Sequence, residues 1–187
     1  RHWWTPVSRV LAAHELRDRP VYFVSSNTHS LVNVLSGVTA RRKEALVEYI
    51  RESRNPELLP ELEKLEAGDT RSPWENLLYF AARPYFADSR RSRERKVREK
   101  EEAERGIHHI EAKGAIDGGV QVIDRAKLDP SSFDPRLAIP GQEEIDPSAT
   151  DAIIVNINYP LGFSAYHLMS QIATVTDRLL GIYILGK

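Results

Sequence analysis

The sequence predicts an α/β fold, a mostly parallel sheet with flanking helices and a helical excursion over about 39–105, and three observations predict it. Val21-Tyr22-Phe23-Val24 and the stretch from Asp151 to Asn158 are short apolar-rich runs of the kind that form buried strands. Each leads through a polar turn into a segment with helical spacing, Leu31 to Leu35 after the first and Phe163 to Leu179 after the second. A further apolar run, Gly181 to Leu185, follows the second helix; strand, helix and strand with short connections make a βαβ unit with parallel strands.

The elements follow in order. Residues 3 to 17 place Trp4, Val7, Val10, Leu11 and His14 at helical spacing, and Pro20 stops any helix before the first strand. In the polar loop Ser25 to Ser30, Asn27 or Thr28 suits the N-cap of a short helix that Gly37 ends at its C′ position. A helix over Thr39 to Ser53 buries Ala45, Leu46, Tyr49 and Ile50 on one face. Pro56 and Pro60 bracket the start of the next, which Leu58, Leu59, Leu62 and Leu65 carry to Gly68. Ser72-Pro73-Trp74-Glu75 sets Ser as N-cap, Pro at N1 and Glu at N3 of a helix predicted to end before Pro84. Arg90 to Arg105 holds eight basic and five acidic residues with Val97 and Ala103 as its only apolar ones, so no face there is predicted to be buried. With Glu94–Arg98 and Glu101–Arg105 as i,i+4 pairs, the region 88–105 reads as a solvated helix ending at Gly106 or as a mobile segment. Ile107 to Lys113 and Gly119 to Asp124 flank Asp117-Gly118-Gly119 and read as a hairpin, giving strands near 21, 107, 120, 153 and 182. Prolines at 130, 135, 140 and 147 make 129–150 a crossing loop or linker. The chain opens on Arg1-His2-Trp3-Trp4 and closes on an apolar run, so 1–187 is expected to be one α/β domain, incomplete at both ends and part of a longer chain.

Charge and composition exclude several classes. The chain has 26 Lys and Arg against 27 Asp and Glu, a net charge of −1, which sets aside a globally basic nucleic-acid binder and an acidic tail. At 41% hydrophobic, its 187 residues can fill one core. No apolar run reaches the roughly 18–20 residues of a membrane span, and no leader pattern opens the chain, so the expectation is a soluble, cytoplasmic protein with no membrane partner. With no Cys there is no disulfide, thiolate metal site or cysteine nucleophile, and chemistry falls to Ser, Thr, His, Asp, Glu, Lys or Tyr. The stretch Arg90 to Arg98 has six cations and a single Glu, but Glu99 to Glu104 neutralises it and no aromatic residue interleaves, so nucleic acid is not the expected partner.

Two loops are candidates for a binding site. The turn Asn158-Tyr159-Pro160-Leu161-Gly162 joins a strand to a helix N-terminus, where backbone N–H groups and the helix dipole favour a phosphate or ribose. Only Gly162 lets the backbone approach closely and Pro160 removes a donor, so an empty βα turn is the alternative. In the other loop, Ser25, Ser26, Asn27, Thr28, His29 and Ser30 would open on the same edge if both strands share one parallel sheet. His29 is the only histidine in a βα loop, which makes it the candidate acid, base or phosphate-orienting group; the alternative is a loop histidine held by hydrogen bonds. His108 and His109 are adjacent on a strand and point to opposite faces, so no metal site is expected from them. His167 is assigned to the outer face of its helix, and Trp3, Trp4 and Trp74 to core or interface packing.

The stretch Ile153 to Lys187 resembles the nucleoside phosphorylase and nucleotide N-glycosidase superfamily. The pattern of that superfamily is a strand ending in Thr-Gly-x-Gly, a helix opening with small residues, and a strand ending in a glycine turn. Here Tyr159 stands for the Thr, Pro160 for the first Gly, Leu161 for the variable residue and Gly162 for the second Gly, with Ala165 near the small helix residues and Ile182 to Gly186 as the strand toward the base- and ribose-binding loop. The match departs at the first Gly, covers roughly a fifth of the chain, and leaves the superfamily's catalytic positions largely beyond Lys187. What it implies is a nucleoside- or nucleotide-binding protein that cleaves an N-glycosidic bond, as a phosphorylase or a hydrolase, assembles as a homo-oligomer and needs no cofactor. The alternative is a non-enzymatic module that docks into a larger assembly through its charged helix and the Trp3-Trp4 end.

Overall fold

The computed structural model describes residues 4–110, 119–138, 140–141, 146–158 and 163–185. Helix α1 spans Trp4–Ala13 and buries Trp4, Val7 and Leu11 on the stripe their spacing sets. Strand β1, Val21–Ser25, leads into α2, Thr28–Ser36, which Asn27 caps by accepting from the His29 N–H at 2.9 Å. Gly37 ends α2 at φ 62°, and a Cβ there would stand 2.6 Å from the Ser132 carbonyl oxygen, so both its backbone and its neighbour require glycine.

The helix predicted over Thr39 to Ser53 is two: α3, Val38–Arg41, and α4, Lys43–Ser53. The break at Arg42 goes with a guanidinium that makes two hydrogen bonds to Glu101, at 2.7 and 2.9 Å. Helix α5 spans Leu58–Glu66. Helix α6, Trp74–Ala87, starts one residue later than predicted, because extended Pro73 and not Ser72 occupies the cap position. It also runs through Pro84. Proline leaves the carbonyl four residues earlier without a donor, and here that is the carbonyl of Phe80, whose side chain is 73% exposed on the face open to water.

Helix α7, Ser92–Glu104, is the predicted charged helix, but one of its side chains, Glu102, is only 2% exposed. The expectation that no face would be buried is corrected on this point, since Glu102 finds its partners on another element. Its i,i+4 pairs also differ from the predicted ones: Arg95–Glu99, Arg98–Glu102 and Lys100–Glu104 form, while Glu101 turns to Arg42. Strands β2, Ile107–Ile110, and β3, Val120–Asp124, pair antiparallel as the predicted hairpin; its turn at 117–118 lies outside the described residues. The crossing loop contains short 3₁₀ turns opened by Asp129-Pro130, Asp134-Pro135 and Asp146-Pro147, in each of which the Asp side chain accepts the N–H two residues on. Strand β4, Ile153–Ile157, helix α8, Phe163–Val175, and strand β5, Leu179–Ile184, complete the chain's described elements.

The sheet order is β2-β3-β4-β1-β5. Strands β4, β1 and β5 are mutually parallel and form the parallel core that was expected, whereas β2–β3 and β3–β4 pair antiparallel, so the sheet as a whole is mixed. The hairpin causes this, because two strands joined by a tight turn run in opposite directions. Strand β1 lies between β4 and β5, so the α8 connection crosses over one strand.

Alternation along the strands separates two faces. On one, Val7 and Leu11 of α1 and Ile172 of α8 pack with Phe23, Val122, Val155 and Ile157. On the other, Val32 of α2 packs with Ile107 and Ile123. Helices α3 to α6 enclose a separate core that includes Leu46, Ile50, Leu62, Leu77 and Phe86. Among the described residues, no helix is long and apolar enough to cross a membrane.

Candidate functional site

β1 and β4 are adjacent and parallel, in register from Val21 with Ile153 to Ser25 with Ile157. Helix α2 leaves β1 on one face of the sheet, and α8 leaves β4 on the other. Where consecutive connections diverge in this way, a crevice opens beyond the carboxyl ends of the two strands, the usual ligand position in open α/β sheets. The fold therefore brings the Ser25 loop and Asn158 to one edge. Tyr159 and Gly162 lie outside the described residues.

The loop after β1 is tighter than the sequence reading placed it. Ser25 is the last strand residue and is buried; the Ser26 N–H donates to the Ile157 carbonyl at 3.0 Å, and its hydroxyl donates to Asn156 Oδ1 at 2.8 Å. Thr28, His29 and Ser30 form the first turn of α2, with His29 and Ser30 exposed. Of the candidate residues, Ser25 and Ser26 thus face the protein interior, while His29 and Ser30 face outward at the edge.

Beneath that first turn lies a polar row that sequence reasoning missed. Asn156 of β4, Gln121 of β3 and His109 of β2 stand opposite one another in register and share the face covered by α2. Asn156 is fully buried and Gln121 is 4% exposed, so their amides must be bonded within the protein. The chain of bonds runs in one direction. Ser26 donates to Asn156 Oδ1, Asn156 Nδ2 donates to Gln121 Oε1 at 2.9 Å, and Gln121 Nε2 donates to the Thr28 carbonyl at 2.9 Å. Those two bonds orient the Gln121 amide with its NH₂ toward His109 Nδ1, 3.5 Å away, which makes Nδ1 the acceptor and puts the hydrogen on Nε2. From Nε2, His109 reaches Glu102 Oε2 at 2.6 Å. A signal existed in the sequence: Gln121 and Asn156 interrupt otherwise apolar strand runs, and a polar side chain at a buried position requires a partner.

Cations surround this row. The Arg98 guanidinium lies 4.6 Å above the Phe86 ring, and its Nε is 3.5 Å from Glu102 Oε2. The His29 pKa is lowered, first by desolvation and then by the charges of Arg83 and Arg98, with Glu102 opposing them. A ring so placed is an unprotonated imidazole at neutral pH, able to accept a proton or to donate a hydrogen bond. On the opposite face His108 stacks on His14 with ring centroids 3.9 Å apart, and burial, then His14, pushes its pKa down to about 4. His108 and His109 therefore serve opposite faces. Among the described residues no three His, Asp or Glu side chains converge as metal ligands. His167 lies exposed on α8.

Fold and site together define an α/β protein in which β1 and β4 end side by side at one sheet edge, next to a buried amide row and a histidine in the first turn of α2. Over residues 1–187 the chain belongs to a family of unknown function (DUF6909). No curated protein and no solved structure matches it.

Proposed function

We propose that the protein binds a nucleoside or nucleotide in the crevice between the carboxyl ends of β1 and β4. The observation that carries this reading is the divergence of α2 and α8 from two adjacent parallel strands, an arrangement that supports ligand binding at this edge. The first turn of α2, with Ser30 and the backbone around Asn27, would receive a phosphate or ribose at the positive end of the helix dipole. Asn158, half-buried at the end of β4, would meet it from the other side.

The reaction that fits the resemblance of Ile153 to Lys187 is cleavage of an N-glycosidic bond. The C–N bond breaks as an oxygen of water or phosphate bonds to the anomeric carbon, and the base leaves with a proton. In that reaction His29, held unprotonated by its surroundings, would take the proton of an attacking water or orient an attacking phosphate.

The test is thermal stabilisation by a panel of nucleosides, nucleotides, free bases, ribose phosphates and inorganic phosphate. A ligand at about one hundred times its Kd adds about 2.7 kcal/mol, a rise in Tm of about 5–10 °C for a chain of this size. A shift with a purine or pyrimidine compound is expected, and His29→Ala or Asn158→Ala is expected to weaken binding at least about tenfold, about 1.4 kcal/mol. If no member of the panel shifts Tm, or both variants bind as the wild type does, the reading fails.

A further inference from the structure

A cavity of about 460 Å³ lies between the helical layer and the crossing loop. Arg41 of α3 and Leu78 of α6 line it on one side, Ser131 to Phe133 on the other, and Arg105 closes it at the end of α7. Sites for small molecules have this size, and they favour such junctions between packed units. Its two arginines lack carboxylates of their own. Arg41 donates to the Ser36 carbonyl at 3.0 Å and stands 3.7 Å from Glu101, but Arg42 already bonds to both Glu101 oxygens. Among the described residues the Arg105 side chain makes no hydrogen bond and no ion pair. The Arg41 pKa is lowered, first by burial and then by the charge of Arg105, so each cation is held where the other disfavours it.

Three carboxylates share the lining, and two of them are occupied. Asp134 accepts from Arg136 and Tyr79, and Asp129 accepts from Ser131 and Ser132 within its own turn. Glu75, half-buried in the first turn of α6, has no bonded partner among the described residues. The groups left open are therefore two guanidinium forks that match a phosphate or carboxylate, and one carboxylate that accepts hydrogen bonds. A bare anion would face Glu75 as a like charge, whereas an anion that also carries hydroxyl groups satisfies both ends.

We propose that this cavity is a second binding site, for a small hydroxylated anion, a phosphate ester or a hydroxy acid, whose acid group bridges Arg41 and Arg105 and whose hydroxyls donate to Glu75. A ligand so held touches α3 and α6 on one side and the crossing loop on the other, and it clamps the helical layer to the rest of the chain. The inference does not rest on the nucleoside reading. The nine residues of α2, about 13 Å of helix, separate this cavity from the edge where β1 and β4 end.

Isothermal titration with inorganic phosphate, a hexose phosphate and citrate, at one ionic strength set with potassium chloride, tests it. The hexose phosphate or citrate is expected to bind at least about tenfold more tightly than inorganic phosphate, and whichever does so names the source of the acid group. Arg105→Gln should raise that Kd at least about tenfold with the urea midpoint of the free protein unchanged, while His29→Ala leaves the Kd as it is. With the bound probe at about ten times its Kd, amide exchange in 38–41 and 129–135 should slow about tenfold. Should Arg105→Gln fail to fold, Glu75→Gln and the exchange pattern of the wild type decide. The proposal is overturned if neither probe binds more tightly than inorganic phosphate, or if the slowed amides lie elsewhere. Loss of binding in His29→Ala but not in Arg105→Gln overturns it as well, because the anion then belongs to the edge beside α2, and the earlier reading stands without this one.

Discussion

One pair of neighbouring side chains shows how environment assigns different work to like groups. His108 and His109 are neighbours in sequence, yet His109 bonds to a carboxylate and an amide while His108 lies against another imidazole with its Nε2 buried and unbonded. The His108 value of about 4 lies below the 6.5 of the unfolded chain, so between those values the unfolded state binds the proton first. The stability this residue contributes is therefore complete above about pH 6.5 and is lost as pH falls toward 4. His29 shifts in the same direction and adds to the loss. Asp134, bonded by Arg136 and Tyr79 and held at about 2, loses its contribution only below 3.8. Urea titrations across pH 4–6.5 are expected to show a falling midpoint in the wild type and a flatter dependence in His108→Phe, which keeps a ring against His14 without a titrating group. An identical slope in the two proteins would assign the acid sensitivity elsewhere.

At the level of elements, α7 is the unusual one, because its one buried side chain is a carboxylate and Val97 is 45% exposed. No apolar stripe holds it. It is held by Glu102 on His109, by Glu101 on Arg42 and by Arg98 above Phe86. Gly106, at φ 79°, then turns the chain directly into β2. Removing one partner of a buried polar pair costs the desolvation of the other, so Glu102→Ala is expected to lower unfolding stability by about 2–3 kcal/mol and to raise amide exchange in 92–104. A loss under about 0.5 kcal/mol with α7 amides still protected would show that other contacts dock the helix. This docking explains what was legible in the sequence and what was not. Charge and missing periodicity sufficed to read α7 as a solvated helix, because those are local properties. The burial of Glu102 was not legible, because its partner stands on a strand that only tertiary pairing brings near. The same holds for Asn156 and Gln121: each is visibly out of place in an apolar run, but strand register alone shows that they face each other. Helix α6 passes Pro84 for a related reason, since exposure of Phe80 decides whether the orphaned carbonyl is costly.

The whole molecule divides into a sheet with apolar packing on both faces and a helical layer, α3 to α6, with a core of its own. The strands, the βαβ unit and the helical excursion were legible as local patterns; the insertion of β1 between β4 and β5 was not, because strand order depends on long-range pairing. Several polar contacts join this layer to the rest of the chain. Arg42 bonds to Glu101, Tyr79 donates to Asp134 at 2.6 Å in the crossing loop, and α7 bridges from Arg98 above Phe86 to Glu102 on His109. A unit with its own apolar core and polar seams can open without the rest. Leu62 lies in the middle of that helical core, 1% exposed, and truncating such a leucine costs about 2–5 kcal/mol. If the layer opens as a unit, Leu62→Ala will accelerate amide exchange in α4, α5 and α6 by about 30-fold or more, the equivalent of about 2 kcal/mol, while β1, β3 and β4 keep wild-type rates. If instead strand and helix amides accelerate together by one common factor, the polar seams transmit the full cost and the two layers unfold as one. Hydrogen exchange read by mass spectrometry on the two proteins at equal concentration separates these outcomes.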